Sequence, residues 1–400
     1  MNKKKITDWI IAISLFVIYL SISIIFRAWA YSWIIWVAYA ICRVVGKKRK
    51  MSKTKKIVIT SITVFLTFSL LMLPFGVFTY LYNEYFGTRY ETYEPLSFSM
   101  EDFPGLKRDK YEFSSDKGQT LVGYNYYHEN EKTKGIIIIA HGFGGGGHNL
   151  YMDCANYFAK NGYYVFAYDA TGNDESEGDS VNGLPQGVID LDYAISFVES
   201  QEKFKDLPIM LFGHSWGGYS VTSVLSYHPE IKAVVSMSGF NESSDLIKSQ
   251  GESIVGSFIE IGMPYIEIYE KIKFGEYAIN TSMDGFEKSD AGVMIMHSED
   301  DDTVQKKYGY DIYYAKYNSS ERFKFISYED KGHDEIYYSD TATEYINQFN
   351  KEFELYFEEH EFSPEAKTDY INENLDRTVW TNLLDEELFN SIIEFYDSYI

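Results

Sequence analysis

The apolar positions along the chain fall into two regimes. From Trp9 to Val45 only Arg27 and Arg43 are charged, and as one helix this run would extend about 55 Å against a hydrocarbon layer of about 30 Å. It reads as two spans, near 9–26 and 28–45, turning at Arg27; the other reading is one span plus an interfacial segment rich in Trp29, Trp33 and Trp36. A third run, Ile57 to about Tyr82, is long enough to cross a bilayer with some tilt, with Pro74 and Gly76 as candidate kink positions. Residues 1–86 are therefore expected to be a membrane anchor of about three helices. A cleaved signal peptide fits less well, because the apolar core exceeds the usual 7–15 residues and further membrane-like sequence follows.

After a Tyr- and Glu-rich connector at 87–110, the second regime begins. Residues 111–128 read as a strand pair around Asp116-Lys117-Gly118. Short β-branched runs then alternate with amphipathic stretches: strands at 135–140, 163–170, 208–212 and 231–237, with helices near 149–161, 186–200 and 217–227 between and after them. Later come a strand at 292–296, a helix near 304–317 and a strand at 323–328. Fully apolar strands separated by helices predict a mostly parallel sheet covered on both faces, an α/β fold. About fifty residues, 240–291, interrupt this alternation and read as a helical cap inserted between two strands. Residues 334–400 are helical and acidic, with a final helix near 384–399.

Charge sharpens the division. Residues 1–86 hold 12 Lys and Arg against 2 Asp and Glu, and residues 87–400 hold 24 against 57, a net charge of −33 within a chain of −23. So acidic a body argues against nucleic-acid binding. The basic clusters at Lys3-Lys4-Lys5 and from Lys47 to Lys56 fit the cytoplasmic side; an odd number of spans then places the body outside the cytoplasm, and an even number leaves it inside. The two cysteines, Cys42 and Cys154, show neither a disulfide framework nor metal-ligand spacing.

The chemistry concentrates at the ends of the predicted strands. The run ending at Phe212 gives way to Gly213-His214-Ser215-Trp216-Gly217-Gly218, a G-x-S-x-G pattern in which a strained strand-to-helix turn presents a serine hydroxyl. A serine needs a base, and the base needs an acid to fix its tautomer. Glu299-Asp300-Asp301-Asp302 follows one late strand and Gly332-His333 follows the last, so the order Ser, acid, His is met. His333 is the histidine in that exit loop, with His360 in reserve; the three aspartates leave the acid open. The acidic loop also admits a calcium-site reading, but it lacks the glycine and terminal glutamate of an EF-hand. Backbone N–H groups of Trp216 and Phe143, the latter in the run His141-Gly142-Phe143-Gly144-Gly145-Gly146-Gly147, are candidates for an oxyanion hole. That glycine run lacks the Lys-Ser/Thr that follows a P-loop.

These motifs, with Asp169-x-x-Gly172-x-x-x-Ser176-x-Gly178 and His297-Ser298-x-x-Asp301-x-x-Val304, make residues 111–340 resemble the α/β-hydrolase superfamily, in its capped lysophospholipase-like and serine-aminopeptidase-like branch. The resemblance implies Asp301 as the acid, an α/β-hydrolase fold over 111–400 and no metal or cofactor. Ser298 stands where the pattern usually has glycine, and Thr171 and Asp174 stand where Arg and Gly are commonly seen after the fourth strand. The expected activity is that of a membrane-anchored serine hydrolase acting on a small-molecule or lipid-like ester, with the cap residues Ile254, Phe258, Ile261, Tyr265 and Ile268 lining an apolar chamber. A serine peptidase and a non-catalytic membrane sensor are the alternatives.

Overall fold

The computed structural model describes residues 52–129 and 133–400, with Phe16 and Tyr19. The expected spans near 9–26 and 28–45 lie outside the described residues. The third run forms one helix, Lys53–Tyr85, with Pro74 inside it and no charged residue from 57 to 83. Among the described residues, no helix is long and apolar enough to cross a membrane. Membrane attachment is therefore taken up below as a proposal.

The chain divides into two compact units, Met1–Asn83 with Gly251–Tyr269, and Glu84–Gln250 with Glu270–Ile400. In the first, the Tyr265 ring lies parallel to Phe78 at 6.0 Å, and the Tyr269 hydroxyl donates to Asn83 Oδ1 at 2.8 Å. Gly262 permits this approach, since a Cβ there would lie 2.2 Å from the Phe78 ring. The inserted region 240–291 thus falls only partly in the second unit. Its helices are Ser243–Val255, Ile259–Phe274 and Ser282–Lys288.

The second unit holds an eight-stranded sheet: β1 (Lys107–Ser114), β2 (Thr120–Tyr127), β3 (Ile136–Ala140), β4 (Tyr164–Tyr168), β5 (Ile209–His214), β6 (Ala233–Met237), β7 (Gly292–Ser298) and β8 (Phe323–Tyr328). Their order in the sheet is β1-β2-β4-β3-β5-β6-β7-β8. β2 is antiparallel to β1 and β4, and all later pairings are parallel. Every residue of β3, β6 and β7 is buried, as fully apolar runs predict for strands covered on both faces. The register aligns Ala140 with Gly213, His214 with Met237, and Ser298 with Tyr328. The loops after β3, β5, β7 and β8 consequently leave the sheet at its carboxyl edge, where open α/β sheets bind ligands.

One helix starts later than its periodicity predicts. The helix expected near 304–317 is Tyr310–Tyr317, because the Val304 N–H donates to Asp301 and its carbonyl accepts from His297 Nε2. Those bonds hold Val304 in the loop. The last helix, Glu386–Asp397, buries Phe389, Ile392 and Tyr396, and Tyr396 donates to the Leu211 carbonyl of β5 at 2.7 Å. The acidic tail is therefore part of the hydrophobic core.

Candidate active site

Ser215 stands between β5 and the helix Trp216–Ser223 with φ 55° and ψ −116°, a backbone conformation that a side chain rarely tolerates. The flanking glycines make the turn possible. A Cβ on Gly217 would sit 1.9 Å from the Ala140 carbonyl oxygen, and one on Gly213 would sit 2.3 Å from the Gly217 oxygen. The surrounding core enforces the strain, which directs the Ser215 hydroxyl into a cavity. Crowding requires the glycines: the chain crosses itself there with no room for a methyl group.

The structure brings the three separated residues together. Ser215 Oγ lies 2.8 Å from His333 Nε2, and His333 Nδ1 lies 2.8 Å from Asp301 Oδ2. With Nδ1 donating to the carboxylate, Nε2 is left to accept the serine proton. Asp301 Oδ1 accepts from the N–H groups of Thr303 and Val304 at 3.0 and 2.8 Å. Burial works to raise the Asp301 pKa, but the hydrogen bonds from His297 and His333, the charge of His333 and the Val304 N–H outweigh it and hold the carboxyl well below its usual range. His360 is exposed just past the end of the tail helix Asp340–Glu359, with Nδ1 bonded to the Tyr356 carbonyl.

The neighbouring aspartate has a different task. Asp300 Oδ1 accepts from Ser298 Oγ at 2.5 Å and from Gly332 N at 2.9 Å, while Ser298 Oγ accepts from Lys331 N. Ser298, a departure from the usual glycine, therefore ties the β7 loop to the loop that presents His333.

The glycine loop after β3 is held from below and from the side. His141 Nδ1 donates to the Gly142 carbonyl and its Nε2 accepts from Ala170 N, so the ring is the neutral Nδ1–H tautomer, with burial lowering its pKa. The Tyr151 hydroxyl accepts from Gly142 N at 3.0 Å and meets His214 Nδ1 at 3.2 Å. Phe143 lines the cavity with Ser215 and His333, and Trp216 opens the helix that follows the serine. Rings of Phe86, Tyr90 and Trp216 stand edge-on to Phe143 at 5.3 to 5.8 Å, and Tyr85 stacks on it at 6.4 Å. Each such aromatic pair contributes about 0.5–1.5 kcal/mol beyond area burial.

Sequence reasoning missed this lateral support. Asp174 accepts from Thr92 N and Oγ at 2.6 Å each and from Gly147 N at 2.9 Å. Arg89 donates to the carbonyls of Asp174, Ser176 and Gly178. Residues 88–92 of the connector thereby clamp the β4 exit loop against the glycine run. Asp174 and Thr171, both departures from the family pattern, are structural here: Thr171 N and Oγ donate to the buried Asp190. The one available signal was Asp174 itself, an unexpected acid placed after β4.

The cavity above Ser215 has a volume of about 460 Å³, within the range of pockets that take one small ligand. Leu246 and Gln250 reach it from the inserted region. Ile254, Phe258, Ile261 and Ile268, expected to face an apolar chamber, are exposed, and Tyr265 packs on Phe78.

Residues 131–259 match the family model described as serine aminopeptidase, S33. A caffeoylshikimate esterase from Arabidopsis thaliana is 29% identical over 128 residues, 32% of this chain and 38% of the relative. The chain thus spans well under two thirds of that relative's length. Among solved structures, an esterase from Pyrococcus furiosus superposes with a TM-score of 0.47 at 14% identity, covering 66% of this chain and 94% of the other. An acylaminoacyl peptidase from Pyrococcus horikoshii gives 0.48 at 17%, covering 68% and 44%. The matched segment holds the glycine run and the serine turn; Asp301 and His333 lie beyond it. The α/β-hydrolase resemblance drawn from the motifs stands, in its lysophospholipase- and aminopeptidase-like branch.

Proposed function

We propose that the protein is a membrane-anchored serine hydrolase that cleaves an acyl ester through an acyl-enzyme. Ser215 attacks the carbonyl as His333 Nε2 removes its proton; Asp301 holds the imidazole and stabilises the imidazolium that results. The N–H groups of Phe143 and Trp216 receive the oxyanion. His333 returns the proton to the leaving alcohol, and a water activated by the same imidazole releases the acyl group. The observation that supports this reading most is the pair of 2.8 Å contacts joining serine, histidine and aspartate at the mouth of a cavity. Nitrophenyl esters of short and long acyl chains test it: the full-length protein hydrolyses them and Ser215→Ala does not. Turnover by the variant at the wild-type rate would refute it.

The matched family's description as a serine aminopeptidase gives the second reading, a peptidase acting through the same three residues. Amino-terminal nitroanilide peptides separate the two.

The anchor reading rests on the uncharged run from Ile57 to Tyr82 and on the exposed Val64, Phe65, Phe68 and Leu73, side chains that water accommodates poorly and hydrocarbon well. With both basic clusters in the cytoplasm, three spans place the acidic body outside. The protein should stay in the pellet after alkaline carbonate extraction of membranes, and external protease should reach the body in intact cells. Release into the carbonate supernatant would remove the anchor from the account.

A further inference from the structure

The cavity of about 460 Å³ above Ser215 carries a consistent sign. Among its described lining residues there is no Lys or Arg, and the one carboxylate side chain is that of Asp334. A carboxylate oxygen of Asp334 lies within 4.8 Å of ring nitrogens of both His214 and His333, and the residue is an exposed part of the cavity lining. Much of the remaining wall is aromatic: Tyr85, Phe98, Phe143, Tyr337 and Trp380. Aromatic faces carry negative quadrupole potential and attract cations. Around all of this the segment 87–400 bears a net charge of −33, which lowers the local concentration of anions and raises that of cations.

Because His333 Nε2 delivers the proton to the departing oxygen, the alcohol half of an ester comes to rest on the His333 side of the site, beside Asp334. We propose, resting on the hydrolase reading above, that the site takes acyl esters of uncharged or ammonium-bearing alcohols and turns away esters whose alcohol carries a carboxylate or phosphate. A carboxylate in that position would lie against Asp334 with no cation among the lining residues to offset it, and like charges at such range oppose each other. An ammonium group would meet Asp334 and the aromatic faces. Asp334 is thereby a specificity-determining residue, separate in role from Asp301, whose carboxylate accepts from His333 Nδ1.

Three butyrate esters of matched size test this on the full-length protein in detergent: those of choline, of 3,3-dimethylbutanol as its neutral isostere, and of 4-hydroxybutanoate. The expected order of kcat/KM is choline, then neutral, then carboxylate. Each step should be about threefold to tenfold, the size of a partly screened charge contact together with a cation–π contact, and the spread should shrink as salt is raised. Asp334→Asn should reduce the choline-to-neutral ratio by about threefold or more, whatever happens to the absolute rates. Equal or faster turnover of the carboxylate ester, or ratios unchanged in Asp334→Asn, would overturn the inference. So would protein that reacts with a fluorophosphonate yet cleaves none of the three. Absence of both labelling and turnover would instead overturn the hydrolase reading beneath it.

Discussion

At the scale of single residues, the site works by separating the tasks of similar groups. Asp301 is kept ionised by four side-chain and backbone donors while Asp300 binds two loops together. Replacing Asp301 with Asn should preserve the fold yet offer His333 the wrong hydrogen-bond partner, lowering kcat by about 10⁴-fold, the scale of a lost tautomer in a serine–histidine–aspartate site; steady-state kinetics on a nitrophenyl ester measures it. His214 sits beside the same imidazole but is buried, with Nε2 bonded to the His333 carbonyl. Burial first, then the charge of His333, lowers its pKa from 6.5 to about 4. The unfolded chain then binds more protons than the folded one between those values, so stability is complete above about pH 6.5 and falls as pH drops toward 4. Thermal melts across that range should show the decline, and His214→Gln should flatten it. Ser215, His333 and the acidic loop were legible in the sequence because a strained turn requires its glycines and strand-exit loops announce themselves. Choosing Asp301 among three aspartates required the family pattern, and the structural roles of Asp174 and His214 were not legible, since both depend on what the folded chain brings beside them.

At the scale of elements, the sheet was readable and the connector was not. Continuous apolar runs placed β3 to β7 within two residues at each end, since a strand buried on both faces has no polar alternation to blur it. The expected connector 87–110 ends four residues early, since Lys107–Lys110 pair with β2 as the start of β1; residues 87–106 lack such a period, and their role comes from long-range bonds: Arg89 to three carbonyls, and Thr92 to Asp174. The inserted region resisted reading for a related reason. Apolar positions such as Ile254 and Phe258 have the same sequence character whether they face a cavity, a core or an exposed surface. Substituting Asp174 with glycine should leave the Thr92 donors without their acceptor and Gly147 N with only its longer bond to Thr92 Oγ, at a cost of about 1–3 kcal/mol of stability. Because those donors tether the loop bearing Phe143, kcat should fall more than KM rises. Denaturant unfolding with parallel kinetics checks both effects, and a stable variant with unchanged kcat would detach the connector from the oxyanion loop.

At the scale of the whole molecule, the chain joins a partly exposed helix, uncharged from 57 to 83, to an acidic α/β body in which residues more than a hundred positions apart meet above one sheet edge. That convergence is the central claim, and it is tested most directly by locating a covalent bond. The full-length protein should be treated with a fluorophosphonate, digested, and the adduct mapped by mass spectrometry. The account predicts a single modified peptide with the added mass on Ser215, absent in Ser215→Ala and formed far more slowly in Asp301→Asn. A folded protein that acquires no adduct, or carries it on another serine while Ser215 stays free, would contradict it.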